Sequence, residues 1–153
     1  GAPFAVTSAQ PLRMAAEALV VEMGGEPIWI PEEARPVYHA ALAHSANHLI
    51  TLVASGMEML TEAGVDTPGR LLTPLLQASL DNALRMGYHA LTGPVVRGDA
   101  STVAAHVAVL ADDPQLRAAY IAMARLTADR ALADGLLKPV AAEGLLNALG
   151  GPS

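Results

Sequence analysis

The sequence predicts a mainly helical domain preceded by a short strand-helix-strand unit, and three observations carry that expectation. Of 153 residues, 52% are hydrophobic but only 3% aromatic, so the core has to be filled by Ala, Leu, Val and Met at close range, which suits helix against helix. Beyond about Glu32, polar residues recur at three- and four-residue steps, and Gly and Pro punctuate the chain at helix-length intervals. Before that point, Pro3-Phe4-Ala5-Val6 and Pro27-Ile28-Trp29-Ile30-Pro31 are short β-prone segments flanking one amphipathic run.

Taken in order, Thr7 or Ser8 is placed to cap a helix that continues to Met23, where Gly24-Gly25 stops it. Strand, helix, strand with compact connections reads as the last β-α-β unit of a parallel sheet. Two parallel strands cannot bury both faces, so the rest of that sheet is expected upstream. From Arg35 to Ala63, His44, His48, Thr51, Ser55, Glu58 and Glu62 form one narrow polar stripe on an otherwise apolar helix. Gly64 ends it, Thr67 caps the next helix, and Pro68 occupies that helix's first turn, where a missing N–H is harmless. The second helix is expected to reach about Tyr88, and Thr92-Gly93-Pro94 to mark a loop. Asp99 or Ser101 then caps a third helix through Leu110, and Asp112-Asp113-Pro114 starts a fourth that reaches about Asp134. After Gly135, Lys138-Pro139 opens a last helix ending near Leu149, before a Gly-Gly-Pro-Ser tail expected to fray.

Composition narrows the function classes. A net charge of -6 without any Lys/Arg cluster argues against nucleic acid, because phosphate neutralisation needs several cations on one face. The absence of cysteine removes disulfides and thiolate chemistry and fits a reducing cytoplasm. Pro36 to Met57 carries no Asp, Glu, Lys or Arg and is long enough to cross a bilayer. His39, His44, Asn47 and His48 lie within it and no aromatic or cationic girdle bounds it, so a buried central helix is expected rather than a membrane span.

Three groups of residues are candidates for chemistry. His39 and Asn47 are eight residues apart, which on a regular helix is about 12 Å with a rotation of roughly 80°. An imidazole there can act as acid or base, and the amide can hold a substrate oxygen. The competing structural reading is a core histidine bonded to a carbonyl and an amide satisfying a neighbouring helix. His44 and His48 have the i, i+4 spacing of metal-binding helices, but no glutamate follows His44 and no third ligand is evident, so a solvated face is preferred and no metal site is assigned. In Thr92-Gly93-Pro94-Val95-Val96-Arg97-Gly98-Asp99, Arg97 suits a carboxylate or phosphate, while Asp99 either caps the next helix or pairs with Arg97. Gly24-Gly25 follows a helix and lacks a third glycine, so no phosphate-cradling fingerprint is present, and no Ser-His-Asp or paired-carboxylate arrangement stands out.

Taken together, Tyr38-His39-Ala40-Ala41, Ser45-Ala46-Asn47, Pro74-Leu75-Leu76, Asn82, Leu91-Thr92-Gly93-Pro94 and Arg97-Gly98-Asp99 resemble one family over nearly the whole chain. It is the family in which a Rossmann-like domain precedes a helical domain of unknown function, related to the C-terminal domains of 6-phosphogluconate dehydrogenase, ketopantoate reductase and pyrroline-5-carboxylate reductase. The resemblance implies residues 1–31 as the end of a Rossmann-like domain and 32–150 as a helical domain that makes a homodimer and part of a substrate cleft. It implies an NADP- or NAD-dependent oxidoreductase acting on a small molecule, with a missing N-terminal nucleotide-binding domain, and no tight cofactor binding or activity from this chain alone. His39 would be catalytic, and Asn47, Arg97, Thr92 and Asp99 would face substrate; lysine fills the proton-donor role in some relatives, and this helix has none. The alternative is a non-catalytic helical interaction module, and a small-ligand carrier with an alanine-lined pocket is a third reading.

Overall fold

The computed structural model describes residues 1–150, and the terminal Gly-Pro-Ser of the tail expected to fray lies outside them. The chain divides into two compact units, Gly1–Gly56 and a second beginning at Met57. The expected fold class is the one observed: helices throughout, with one two-stranded parallel sheet.

In the first unit, β1 (Pro3–Val6) and β2 (Glu26–Trp29) pair in parallel with Val6 opposite Trp29, joined by α1 (Arg13–Glu22). A 3-10 turn at Gln10–Leu12, started by Pro11, leads into α1. The Arg13 guanidinium lies 4.1 Å from the Trp29 ring centroid and ties the start of the helix to the second strand. Gly25 is required by packing: a Cβ there would lie 2.5 Å from the Phe4 ring and 3.1 Å from Val20. Val20 is the one buried hydrophobic residue of this unit, and each strand keeps a free edge among the described residues.

Thr7 and Ser8 do not cap α1, contrary to the sequence expectation. The position before the 3-10 turn is Ala9, with no side-chain cap. Thr7 Oγ1 instead donates to the Ile30 carbonyl at 2.7 Å and accepts from Arg35 NH1 at 3.0 Å, fastening both strand ends to the following helix. Its partners lie 23 and 28 residues away, beyond the reach of a local capping pattern.

The expected helix from Arg35 to Ala63 is three pieces. A 3-10 turn at Glu32–Ala34 leads into α2 (Arg35–Leu42), then a π-helical turn at Ala43–Asn47, then α3 (His48–Glu62), and the division between the units falls within α3. The π turn contains neither Gly nor Pro. No residue from Pro36 to Met57 is buried, so the buried central helix expected from its composition is not buried by this chain. Among the described residues no helix is long and apolar enough to cross a membrane.

In the second unit, α4 (Pro68–Met86) has Pro68 in its first turn as expected; Thr67 sits at the N-cap but makes no side-chain cap bond. A 3-10 turn follows at Gly87–Ala90, and then a single turn, α5 (Pro94–Arg97), where a loop was expected. Helices α6 (Ala100–Val109), α7 (Pro114–Ala133) and α8 (Pro139–Ala148) pack on α5 and on one another. Their caps follow the sequence closely: Asp113 Oδ1 accepts from the Gln115 and Leu116 N–H groups at 3.1 and 2.9 Å. The core is Val103 and Val107 of α6, Ala124, Ala128 and Ala131 of α7, and Leu137, Ala142, Leu145 and Leu149 around α8. Three alanines at four- and three-residue steps put a flat stripe on α7, so neighbouring backbones approach closely without large rings. His106 Nδ1 and Tyr120 OH, 2.9 Å apart, add a polar link between α6 and α7.

Candidate functional site

The π turn changes the geometry of the first candidate pair. It accommodates one more residue than an α turn, which rotates everything after it back by about 100°. The roughly 80° offset expected between His39 and Asn47 on a regular helix therefore closes to about 20°, and the two residues share one face of the helical run. Both are exposed, and neither side chain makes a hydrogen bond among the described residues. A core histidine bonded to a carbonyl, the structural alternative, is not what the chain contains. An imidazole with both nitrogens available and an amide on the same face, one at each end of a stretch about 12 Å long, can engage different atoms of one small molecule.

Arg35 was not singled out by sequence, and the structure places it one turn before His39. It opens α2, donates to Thr7 at the carboxyl end of β1, and sits with its guanidinium 6.0 Å from the Tyr38 ring centroid. In open parallel sheets the carboxyl ends of strands are where ligands bind, so a cation anchored there belongs to the candidate site. The signal available in the sequence was its i, i+4 relation to His39, which puts both on one helix face.

In the second unit, Gly93 (φ 97°) and Gly98 (φ 69°) bracket the single turn of α5. Gly98 is constrained twice, since a Cβ at that position would lie 2.5 Å from Ala141 Cβ and 3.2 Å from Leu137 Cδ1. Thr92 and Arg97 are exposed, and their side chains make no hydrogen bond or ion pair among the described residues. Asp99 does not form the ion pair with Arg97 offered by the sequence. It is the N-cap of α6, accepting from Thr102 N at 3.1 Å, Thr102 Oγ1 at 2.7 Å and Ser101 Oγ at 2.9 Å. The bonds from Thr102 and then Ser101 hold its carboxyl below the usual range, with a smaller pull from the Arg97 charge.

The sign of the resulting pH dependence follows. Because the folded-state pKa is depressed, the stabilisation is complete above the unfolded carboxyl pKa, about 3.9, and is lost as pH falls through the lower folded value. Asn at position 99 keeps a capping oxygen but does not titrate. The wild type is therefore expected to melt higher than Asp99→Asn at pH 6, with the gap shrinking below about pH 4. A gap that stays constant from pH 6 to pH 3 in thermal melts contradicts the capping charge.

His39, Asn47 and Arg35 belong to the first unit, and Thr92, Arg97 and Asp99 to the second. Among the described residues no three or more His, Asp or Glu side chains gather as a metal cage. Gly24-Gly25 ends a helix rather than following a strand, and the space above Gly25 is filled by the Phe4 ring. An open groove of about 1140 Å³ lies between α6 and α7, walled by Ala104, Ala108, Ala118 and Ala122 and by Ile121, apart from all the candidate residues.

Among solved structures, protein TM1727 from Thermotoga maritima is similar with a TM-score of 0.77 and 23% identity, over 87% of this chain and 54% of its own. A Bacteroides fragilis protein, named "putative NADP oxidoreductase BF3122", is similar with a TM-score of 0.71 and 22% identity, over 83% of this chain and 49% of its own. The chain thus spans about half the length of each, and at such identity the likeness is one of fold. Among curated proteins none matches. The family described as "Domain of unknown function (DUF2520)" matches residues 2–127, and the chain belongs to that family.

Proposed function

We propose that this chain is the C-terminal portion of an NADP- or NAD-dependent oxidoreductase, supplying the dimer interface and part of the cleft for a small-molecule substrate. The observation that carries the reading is an incomplete parallel sheet leading into helices, on a fold shared with a protein named as an NADP oxidoreductase and covering half of it. In this reading residues 1–31 are the end of a Rossmann-like domain, residues 32–150 are the helical domain, and the upstream domain binds the nucleotide. The kinship to 6-phosphogluconate dehydrogenase, ketopantoate reductase and pyrroline-5-carboxylate reductase belongs to the same proposal. The nicotinamide would supply hydride when bound upstream. His39 would hold the proton delivered to, or taken from, the substrate heteroatom, and Asn47 on the same face would hold a different polar atom of the same substrate. Arg97 would pair with an anionic group, Thr92 would add a neutral contact, and Asp99 would keep their segment in place through its cap. The proposed setting is the cytoplasm, consistent with a chain lacking cysteine.

The alternative, a helical interaction module, draws on the same surfaces: Leu71, Leu75, Leu80 and Leu84 of α4 are all exposed, and no residue of α4 is buried. Both readings place a second copy on that helix. Sedimentation of the chain is expected to give a dimer, and Leu84→Glu to shift it to monomer with its helical circular dichroism intact, since Leu84 is 80% exposed. A wild-type monomer across micromolar concentrations counts against the proposed interface, and nicotinamide binding separates the two readings.

A further inference from the structure

We propose that His44 and His48 form a two-imidazole site for a divalent late-transition-metal ion of the nickel or copper class. The pair sits across the π turn, with the Nδ1 atoms 3.0 Å apart, ring centroids separated by 5.0 Å and ring planes at 89°. Two nitrogens that each lie about 2.1 Å from one ion and subtend a right angle are about 3.0 Å apart. The observed 3.0 Å is that of an N–H···N hydrogen bond, and it already holds the two nitrogens at the separation a cis pair on a square-planar or octahedral ion needs; the corresponding tetrahedral edge is wider, about 3.4 Å.

Three features of the surroundings agree. Both rings are exposed, and each has the other as its hydrogen-bond partner, so an ion competes with one exposed His-His bond and dismantles no network. The stretch from Pro36 to Met57 carries no Asp, Glu, Lys or Arg, so the donors it offers are imidazole nitrogens, which favour nickel or copper over magnesium or calcium. In the free neutral pair one Nδ1 carries the proton donated to the other. On metal binding that ring becomes the Nε2–H tautomer by exchange with solvent, and no net proton is released. The protein supplies two ligands and water the remainder, which makes the site open to further ligands. The site stands independently of the oxidoreductase reading, because it uses neither His39 nor Asn47.

The test is calorimetric titration of the untagged chain with nickel chloride near pH 7.5, comparing the wild type with His44→Gln, His48→Gln and His89→Gln. Losing one of two linked ligands is expected to weaken binding by about 10- to 100-fold, while His89→Gln, which removes an isolated exposed histidine, binds as the wild type does. Copper electron paramagnetic resonance supplies the second readout: two equivalent imidazole nitrogens in the wild type and one in either single variant. Circular dichroism verifies that the variants remain helical. Binding that is undiminished in His44→Gln and His48→Gln, or a copper spectrum unchanged between them and the wild type, overturns the proposal.

Discussion

Gly98→Ala is expected to destabilise the second unit by about 2–5 kcal/mol, read as a lower urea midpoint with an unchanged slope. Two costs add. At φ 69° alanine pays the left-handed penalty that glycine avoids, on the order of 1–2 kcal/mol. Its methyl group would also lie 2.5 Å from Ala141 Cβ, and α8 can yield only by disturbing Leu137 and Leu145, which are almost fully buried. Overpacking of that kind costs about 1–3 kcal/mol. Gly135→Ala is the control, because its φ of 70° matches that of Gly98 but nothing lies within 4 Å of an added Cβ. If the two variants lose equal stability, the close approach of α5 to α8 is not the constraint it is taken to be.

If the proposed oxidoreductase reading holds, His39→Ala in the longer polypeptide is expected to lower kcat by about 10²- to 10⁴-fold while leaving cofactor affinity nearly unchanged. The side chain is exposed and unbonded among the described residues, so its removal creates no cavity and leaves no buried partner unsatisfied. A loss of turnover therefore reports chemistry rather than folding. Asn47→Ala, by contrast, is expected to act mainly through substrate KM, because an amide orients a ligand without exchanging a proton at neutral pH. Equal loss of turnover and cofactor affinity in His39→Ala, or no loss of either, counts against its proton-transfer role.

Local signals were legible and distant ones were not. Pro68, Asp113-Pro114 and Asp99 mark helix starts through contacts within three residues, and each does so in the structure. The two strands were legible from their β-prone residues, and the alanine-rich core from the scarcity of aromatics. Thr7 was misread because its partners come from another strand end and another helix. The π turn at Ala43–Asn47 carries no Gly or Pro, and a sequence period assumes a regular helix, so the face shared by His39 and Asn47 was out of reach. Four residues are too few for periodicity to mark α5. Burial of the stretch from Pro36 to Met57 was inferred from composition alone, and composition does not say whether the covering surface belongs to the same chain.

The central claim is tested most directly by titrating NADPH and NADH, with Trp29 and nicotinamide fluorescence as reporters, into this chain and into a longer polypeptide carrying the proposed upstream domain. The account predicts saturable binding to the longer polypeptide and none to this chain alone. Failure of the longer polypeptide to bind either nucleotide contradicts the oxidoreductase reading and leaves the helical interaction module in its place.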